Sequence, residues 1–219
     1  MTHQQRDFAA TFGLLAKGAS AAGGTLASIF AHTAHSMKLD RKQTVLIVID
    51  VQEKLMPVID GAADVIRNIE RLVRGCHVLG VPALLTEQYV KGLGPTVEPV
   101  RRAFEDTSGY APIEKMCFSA MDCDAFRAQL AFHGRKQIIV AGVESHVCVY
   151  QTIEDLLARK LFVSVIADAV SSRTAQNRDL ALRRLASDGA KLSSTEMALF
   201  ELTVASGTEE FRAISRLVK

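Results

Sequence analysis

Three residues of this 219-residue chain stand where apolar runs end and carry side chains able to do covalent chemistry together: Asp50, Lys115 and Cys148. Asp50 directly follows the β-branched run TVLIVI. An acid there is partly desolvated, which disfavours its charged form and suits it for accepting a proton. A carboxylate capping the next helix or turn explains Asp50 alone equally well. Cys148 sits in AGVESHVCVYQT, in the expected first turn of a helix. Free backbone N–H groups and the positive end of the helix dipole favour a thiolate there. The same groups could hold an oxyanion developing on a carbonyl oxygen. An inert buried cysteine is the competing explanation; position favours the nucleophile.

A thiol nucleophile needs a base. His146 is the obvious one by type, but it lies two residues from Cys148 at a helix start, so the side chains point apart. A surface or interface role suits His146 better, which leaves Asp50 as the base. Lys115, in IEKMCFSA, could settle the charges of carboxylate and thiolate together. Alone it reads more simply as an exposed strand-end lysine.

These residues must be positioned by strands and helices. Continuous apolar runs suit strands buried on both faces of a parallel sheet. Such runs occur at Thr44 to Ile49, Pro82 to Thr86, Gln137 to Ala141 and Phe162 to Ala167, with shorter ones at Ile113 to Met116 and Ala190 to Leu192. Between them, Val65, Ile66, Ile69, Leu72, Val73, Cys76 and Leu79 recur at helical spacing, and Gly80 ends that helix. Further helices are expected over Asp122 to Phe132, Val147 to Arg159, Ala175 to Ser187, Thr195 to Val204 and Thr208 to Val218. Residues 87–110, with Gly92, Gly94, Pro95, Pro99 and Gly109, read as a long, partly helical loop beside the site. The alternation predicts an α/β fold: a three-layer, doubly wound, mostly parallel six-stranded sheet, Rossmann-like in order 3-2-1-4-5-6, with helices on both faces. Ligands bind such sheets beyond the strand carboxyl ends, where the order reverses, and the first and fourth strands meet there. The third strand then lies two places from the first, roughly 10 Å away, a gap the lysine side chain must span.

Size fits one domain over residues 38–219. Residues 1–37, rich in Ala, Gly, Ser, Thr and His, read as an N-terminal extension. They are expected to be either upstream of a start at Met37 or a tail that docks on an oligomer. Asp7, Lys17 and the glycines break the run needed for a signal peptide or membrane span. The net charge of +2 gives no argument for nucleic acid or a membrane as partner. Without Trp and with three Tyr, a stacking platform for bases is not expected either. Cys76, Cys117, Cys123 and Cys148 include no CxxC pair, so zinc is a poor reading and a reducing, cytoplasmic setting with free thiols is expected.

VLIVIDVQ around Asp50, TEQYVKGLGPTV, EKMCFSA around Lys115, GVESHVCVYQT around Cys148 and ADAVSSR together resemble the isochorismatase-like cysteine hydrolases. The likeness covers about residues 43–205. TEQY, GLGPT and DAVSSR look most like the branch called isochorismatase domain-containing proteins. The resemblance implies a catalytic triad of Asp50, Lys115 and Cys148, and a cis peptide between Val143 and Glu144. It also implies an oxyanion hole from the N–H groups of Glu144 and Cys148. The Asp-x-His metal motif of the family's nicotinamidases is missing, since that place reads Thr86-Glu87-Gln88-Tyr89. No metal or cofactor is therefore expected. True isochorismatases lack the nucleophilic cysteine, so Cys148 argues against vinyl-ether cleavage. Implied instead is hydrolysis of a small amide, carbamoyl or ureido C–N bond through a thioester, by a homo-oligomer.

Leu55, Gln88, Phe118, Val143 and Val147 are candidates to line the substrate pocket, although each apolar one reads more readily as core. Cys117 and Cys123 read as structural. Ser171, Ser172 and Arg173 could bind a carboxylate; a turn or subunit contact explains them equally. The alternative function is a non-catalytic scaffold or binding protein that kept the fold. A nucleotide-binding Rossmann domain lacks its GxGxxG, the first strand being followed by DVQEKL. A redox thiol protein would need a resolving cysteine that the sequence does not place near Cys148.

Overall fold

The computed structural model describes residues 38–219, and the expectation for residues 1–37 lies outside them. Among the described residues six strands form one sheet: β1 (Thr44–Ile49), β2 (Ala83–Gln88), β3 (Ile113–Lys115), β4 (Gln137–Val143), β5 (Phe162–Ser171) and β6 (Lys191–Ser193). Their order is β3-β2-β1-β4-β5-β6 and every pair is parallel, as expected. Side chains alternate between two core layers. Leu46, Val48, Ile139, Ala141 and Val143 face one. Val45, Ile47, Ile49, Ile138 and Val140 face the other. That period of two, with both faces apolar, is why these strands read as unbroken hydrophobic runs.

Helices α1 (Ala62–Val78), α3 (Glu98–Glu105), α7 (Thr195–Thr203) and α8 (Glu209–Val218) cover the first face. Helices α4 (Asp124–His133), α5 (Tyr150–Ala158) and α6 (Ala175–Ser187) cover the second. In α1 the buried positions Val65, Ile69, Leu72, Val73 and Cys76 form one stripe. Thr174, Ser194 and Thr208 accept hydrogen bonds from the backbone at the starts of α6, α7 and α8. Each such cap contributes about 1 kcal/mol.

Three segments depart from the sequence reading. The helix expected from Val147 begins earlier, as a π-helical segment at Ser145–Val149 that passes into α5. Periodicity in the sequence cannot distinguish one wide turn from an α-turn. Strand β5 runs four residues past Ala167, because its register on β4 jumps between Val140 and Gly142. The displaced Asp168 accepts Thr195 N and Oγ1, fastening α7 to the bulge. The loop of residues 87–110 contains α2 (Val90–Leu93) as well as α3, and Thr96 bridges back to Gln52.

Gly142 lies opposite Ile49, beside the point where β1 delivers Asp50. Its φ is +119°, and a Cβ there would stand 2.1 Å from the Ile49 carbonyl oxygen. Backbone cannot yield as a flexible side chain can. Gly142→Ala is expected to destabilise the chain by about 2–6 kcal/mol, from strain and overlap together. Urea denaturation measures it; a loss under about 0.5 kcal/mol would contradict this packing.

Candidate active site

The turn after β1 buries Asp50 completely, with φ +52° and its backbone N–H on the Thr86 carbonyl. Aspartate tolerates this left-handed conformation better than most residues. Thr86 Oγ1 donates to Asp50 Oδ1 at 2.7 Å. Lys115 Nζ donates to Asp50 Oδ2 at 2.6 Å, with both side chains fully buried. The gap from β3 is closed because Lys115 pairs with Gln88 in register and reaches across the end of β2. The ammonium's other partners are the carbonyls of Cys117 and Phe118, at 3.2 Å each. Two contacts fix the loop that presents them. Ala120 N donates to Thr152 Oγ1, and Ser119 Oγ donates to Asp155 Oδ2, both acceptors being in α5.

Cys148 lies in the π-helical segment after β4, with 5% of its surface exposed. Its thiol is pushed up to about 12, first by burial and then by the Asp50 charge; Lys115 pulls the other way. The helix start, expected to favour a thiolate, is opposed here. Burial and the carboxylate outweigh the helix end, so the resting group is a thiol. Its Sγ donates to Gln88 Oε1 at 3.0 Å. An acid, an ammonium and a thiol from β1, β3 and the segment after β4 thus meet at the carboxyl end of the sheet. Such a group can pass the thiol proton to the carboxylate while net charge in the buried site stays unchanged.

The peptide bond between Val143 and Glu144 is cis. Glu144 Oε2 accepts from Arg173 Nε at 3.0 Å and from its backbone N–H at 3.3 Å.

A family model described as the isochorismatase domain matches residues 44–197. This chain belongs to the isochorismatase family. It is 37% identical over 181 residues to isochorismatase domain-containing protein 2 of Danio rerio, covering 83% of this chain and 89% of the relative. A protein named secreted isochorismatase effector Isc1, from Phytophthora sojae (strain P6497), is 36% identical over 195 residues, covering 89% and 93%. Among solved structures, one titled MAR1 ribonuclease from Caenorhabditis elegans superposes with a TM-score of 0.76 at 34% identity, covering 83% of this chain and 92% of that one.

Within this isochorismatase domain two buried side chains missed in the sequence hold the site together. Gln52 Nε2 donates to the carbonyls of Gln88 (2.9 Å) and Gly94 (2.6 Å), and its Oε1 accepts from Gln88 N at 2.8 Å. Glu87 Oε1 accepts from Thr96 N and Oγ1, at 2.6 and 2.7 Å, and from the Tyr110 hydroxyl. Together they pin the loop of residues 90–110 to the strand ends. The available signal was a polar residue shortly beyond a buried run, Gln52 three places after Ile49 and Glu87 directly after Thr86.

The pocket candidates divide. Gln88 touches the Cys148 sulfur. Val143 is fully buried in the first core layer. Leu55 and Val147 are partly buried against the two core layers. The Phe118 side chain is 53% exposed, and its carbonyl holds Lys115. Tyr89, Val90, Lys91, Glu114, Lys115 and Met116 line a neighbouring cavity of about 390 Å³. His146 Nδ1 is 3.0 Å from Ser172 Oγ, so it engages the end of β5. Ser171 Oγ donates to the Asp60 carbonyl at 2.7 Å, and Arg173 is paired with Glu144. Of the two explanations considered for residues 171–173, these contacts are of the structural kind, the carboxylate on Arg173 being that of Glu144.

Cys76, in the core, is also pushed up to about 12, by burial alone. The folded chain therefore holds the Cys76 and Cys148 protons more tightly than an unfolded chain, whose thiols lose theirs near the ordinary value of 9.0. Their contribution to stability is complete below that value and is lost as pH rises toward about 12. Urea midpoints are expected to fall between about pH 8 and about pH 10.5, less steeply in Cys76→Ala. Identical slopes in the two proteins would contradict this.

Proposed function

We propose that this chain is a cysteine hydrolase that cleaves a small amide, carbamoyl or ureido C–N bond with a triad of Asp50, Lys115 and Cys148. The observation that carries the reading is the buried 2.6 Å Lys115–Asp50 pair placed beside a thiol on which both groups act. Asp50 takes the thiol proton as Sγ attacks the carbonyl carbon. The neutral thiol and charged pair become a thiolate-derived C–S bond, a protonated Asp50 and a negative carbonyl oxygen facing the Glu144 and Cys148 N–H groups. Lys115 stays protonated and offsets the charge throughout. Collapse expels the amine, which takes the proton from Asp50 and leaves a thioester. Asp50 then takes a proton from water as its oxygen attacks the thioester; the C–S bond breaks, sulfur takes that proton back from Asp50, and the acid departs.

Four free cysteines support a reducing, cytoplasmic setting. Among the described residues no helix is long and apolar enough to cross a membrane. Self-assembly, which the family resemblance supports, is part of the same proposal. The test is a panel of small primary amides, carbamoyl compounds, ureides and matched esters, read by ammonia release and acid formation. Turnover of at least one nitrogen class is expected. Turnover of esters alone would overturn the bond assignment.

A further inference from the structure

We propose that Gln88 is a positioning residue: in the empty site its carboxamide holds the Cys148 proton away from Asp50, and a substrate N–H releases it. The inference rests on Cys148 being the nucleophile.

Two contacts fix the Gln88 backbone and a third orients its carboxamide. Its backbone N–H and carbonyl are both clamped by Gln52, at 2.8 and 2.9 Å. Its Nε2 donates to the Met116 carbonyl at 3.4 Å, and a carbonyl can only accept, so the amide nitrogen must face that way. The oxygen is then turned to the sulfur, 3.0 Å away. An oxygen can receive a bond from S–H but offers nothing to a thiolate. The contact therefore stabilises the inert form of the nucleophile. Asp50 also acts on the sulfur, but its oxygens already accept from Thr86 and Lys115, and the hydrogen bond that the thiol donates runs to Gln88.

The other polar neighbours are already engaged. Glu144 pairs with Arg173 and His146 with Ser172. On α6, packed behind the π-helical segment, Arg178 pairs with Asp179 and Asp60, and Arg184 covers the Tyr150 ring. Asp50 and Lys115 remain as the charged groups acting on the sulfur. Release then needs one exchange. A substrate N–H replaces S–H as the donor to Gln88 Oε1, the thiol rotates, and its proton passes to Asp50 as sulfur attacks. Amides, carbamoyl compounds and ureides carry an N–H beside the reacting carbonyl; esters do not. Gln88 thereby couples activation of the thiol to the class of substrate.

The test is the rate of Cys148 alkylation by N-ethylmaleimide, which carries no N–H, in the full chain without substrate, read on the Cys148 peptide by mass spectrometry. Gln88→Leu removes the acceptor and is expected to raise the rate about tenfold at fixed pH, one unit of thiol acidity. Gln88→Glu adds a charged acceptor and is expected to lower it by a similar factor. Gln88→Met, also without the amide, repeats the first arm should leucine fail to fold. Simple loosening of the site would move all variants the same way. Rates that all rise, all fall or do not change would overturn the proposal. The underlying reading fails separately: it falls if Cys148→Ala hydrolyses amides like wild type, whatever the Gln88 variants do.

Discussion

Cys148→Ala is expected to lower amide turnover by about 10³-fold or more while leaving the fold intact. The size follows from what the sulfur does. Without it no thioester forms, and the remaining groups can only orient water against a stable C–N bond. The structural cost is small, because one atom is deleted from a residue at the edge of the second core layer. About 1 kcal/mol is expected, near the low end for core truncations. Removing a thiol held neutral beside a carboxylate also leaves no charge unpaired. Steady-state kinetics and a thermal melt check both parts. A variant that is inactive because it is unfolded would show a lost transition rather than a small shift in Tm.

Lys115→Met is expected to cost both stability and activity. The ammonium is the charged partner of a fully buried carboxylate, and both side chains have no exposed surface. Breaking such a pair from one side costs about 3–5 kcal/mol, because the remaining charge has neither water nor counter-ion. That is a large part of the roughly 5–15 kcal/mol that holds a domain folded. The unpaired Asp50 would take up a proton rather than stay charged, and a protonated acid cannot accept the thiol proton. Turnover should therefore fall with stability. Asp50→Asn with Lys115→Met leaves no buried charge and is expected to recover part of the stability and none of the activity. Urea unfolding of the two singles and the double measures the coupling. A Lys115→Met variant within about 1 kcal/mol of wild type would mean that the pair is not desolvated as described.

The fold was legible because each central strand is apolar on both faces, and TVLIVI admits few other placements. Two of the proposed triad positions could be picked from where they stand, Asp50 at the end of one such run and Cys148 just past another; Lys115 alone reads as an exposed strand-end lysine and was picked out by the family resemblance. Other features were hidden for physical reasons. The π-helical turn differs from an α-turn by one residue per turn, less than hydrophobic spacing resolves. The jump in β5 register depends on pairing with β4, so Asp168 looked like an ordinary strand end. Gln52 and Glu87 are polar residues whose burial follows from the path of residues 90–110, which no local pattern dictates. How far burial and the Asp50 charge together raise the Cys148 thiol depends on packing, which the helix position of Cys148 alone does not show. Asp50 comes from a strand about a hundred residues away in sequence.

Rapid acid quenching during turnover of an amide or ureide, followed by peptide mass spectrometry, probes the shared pocket at its reactive atom. The expected result is the acyl part of the substrate attached to Cys148 and to no other cysteine, appearing no later than the first turnover. Steady hydrolysis with Cys148 unmodified at every time point, and undiminished in Cys148→Ala, would show that the sulfur takes no part in the reaction.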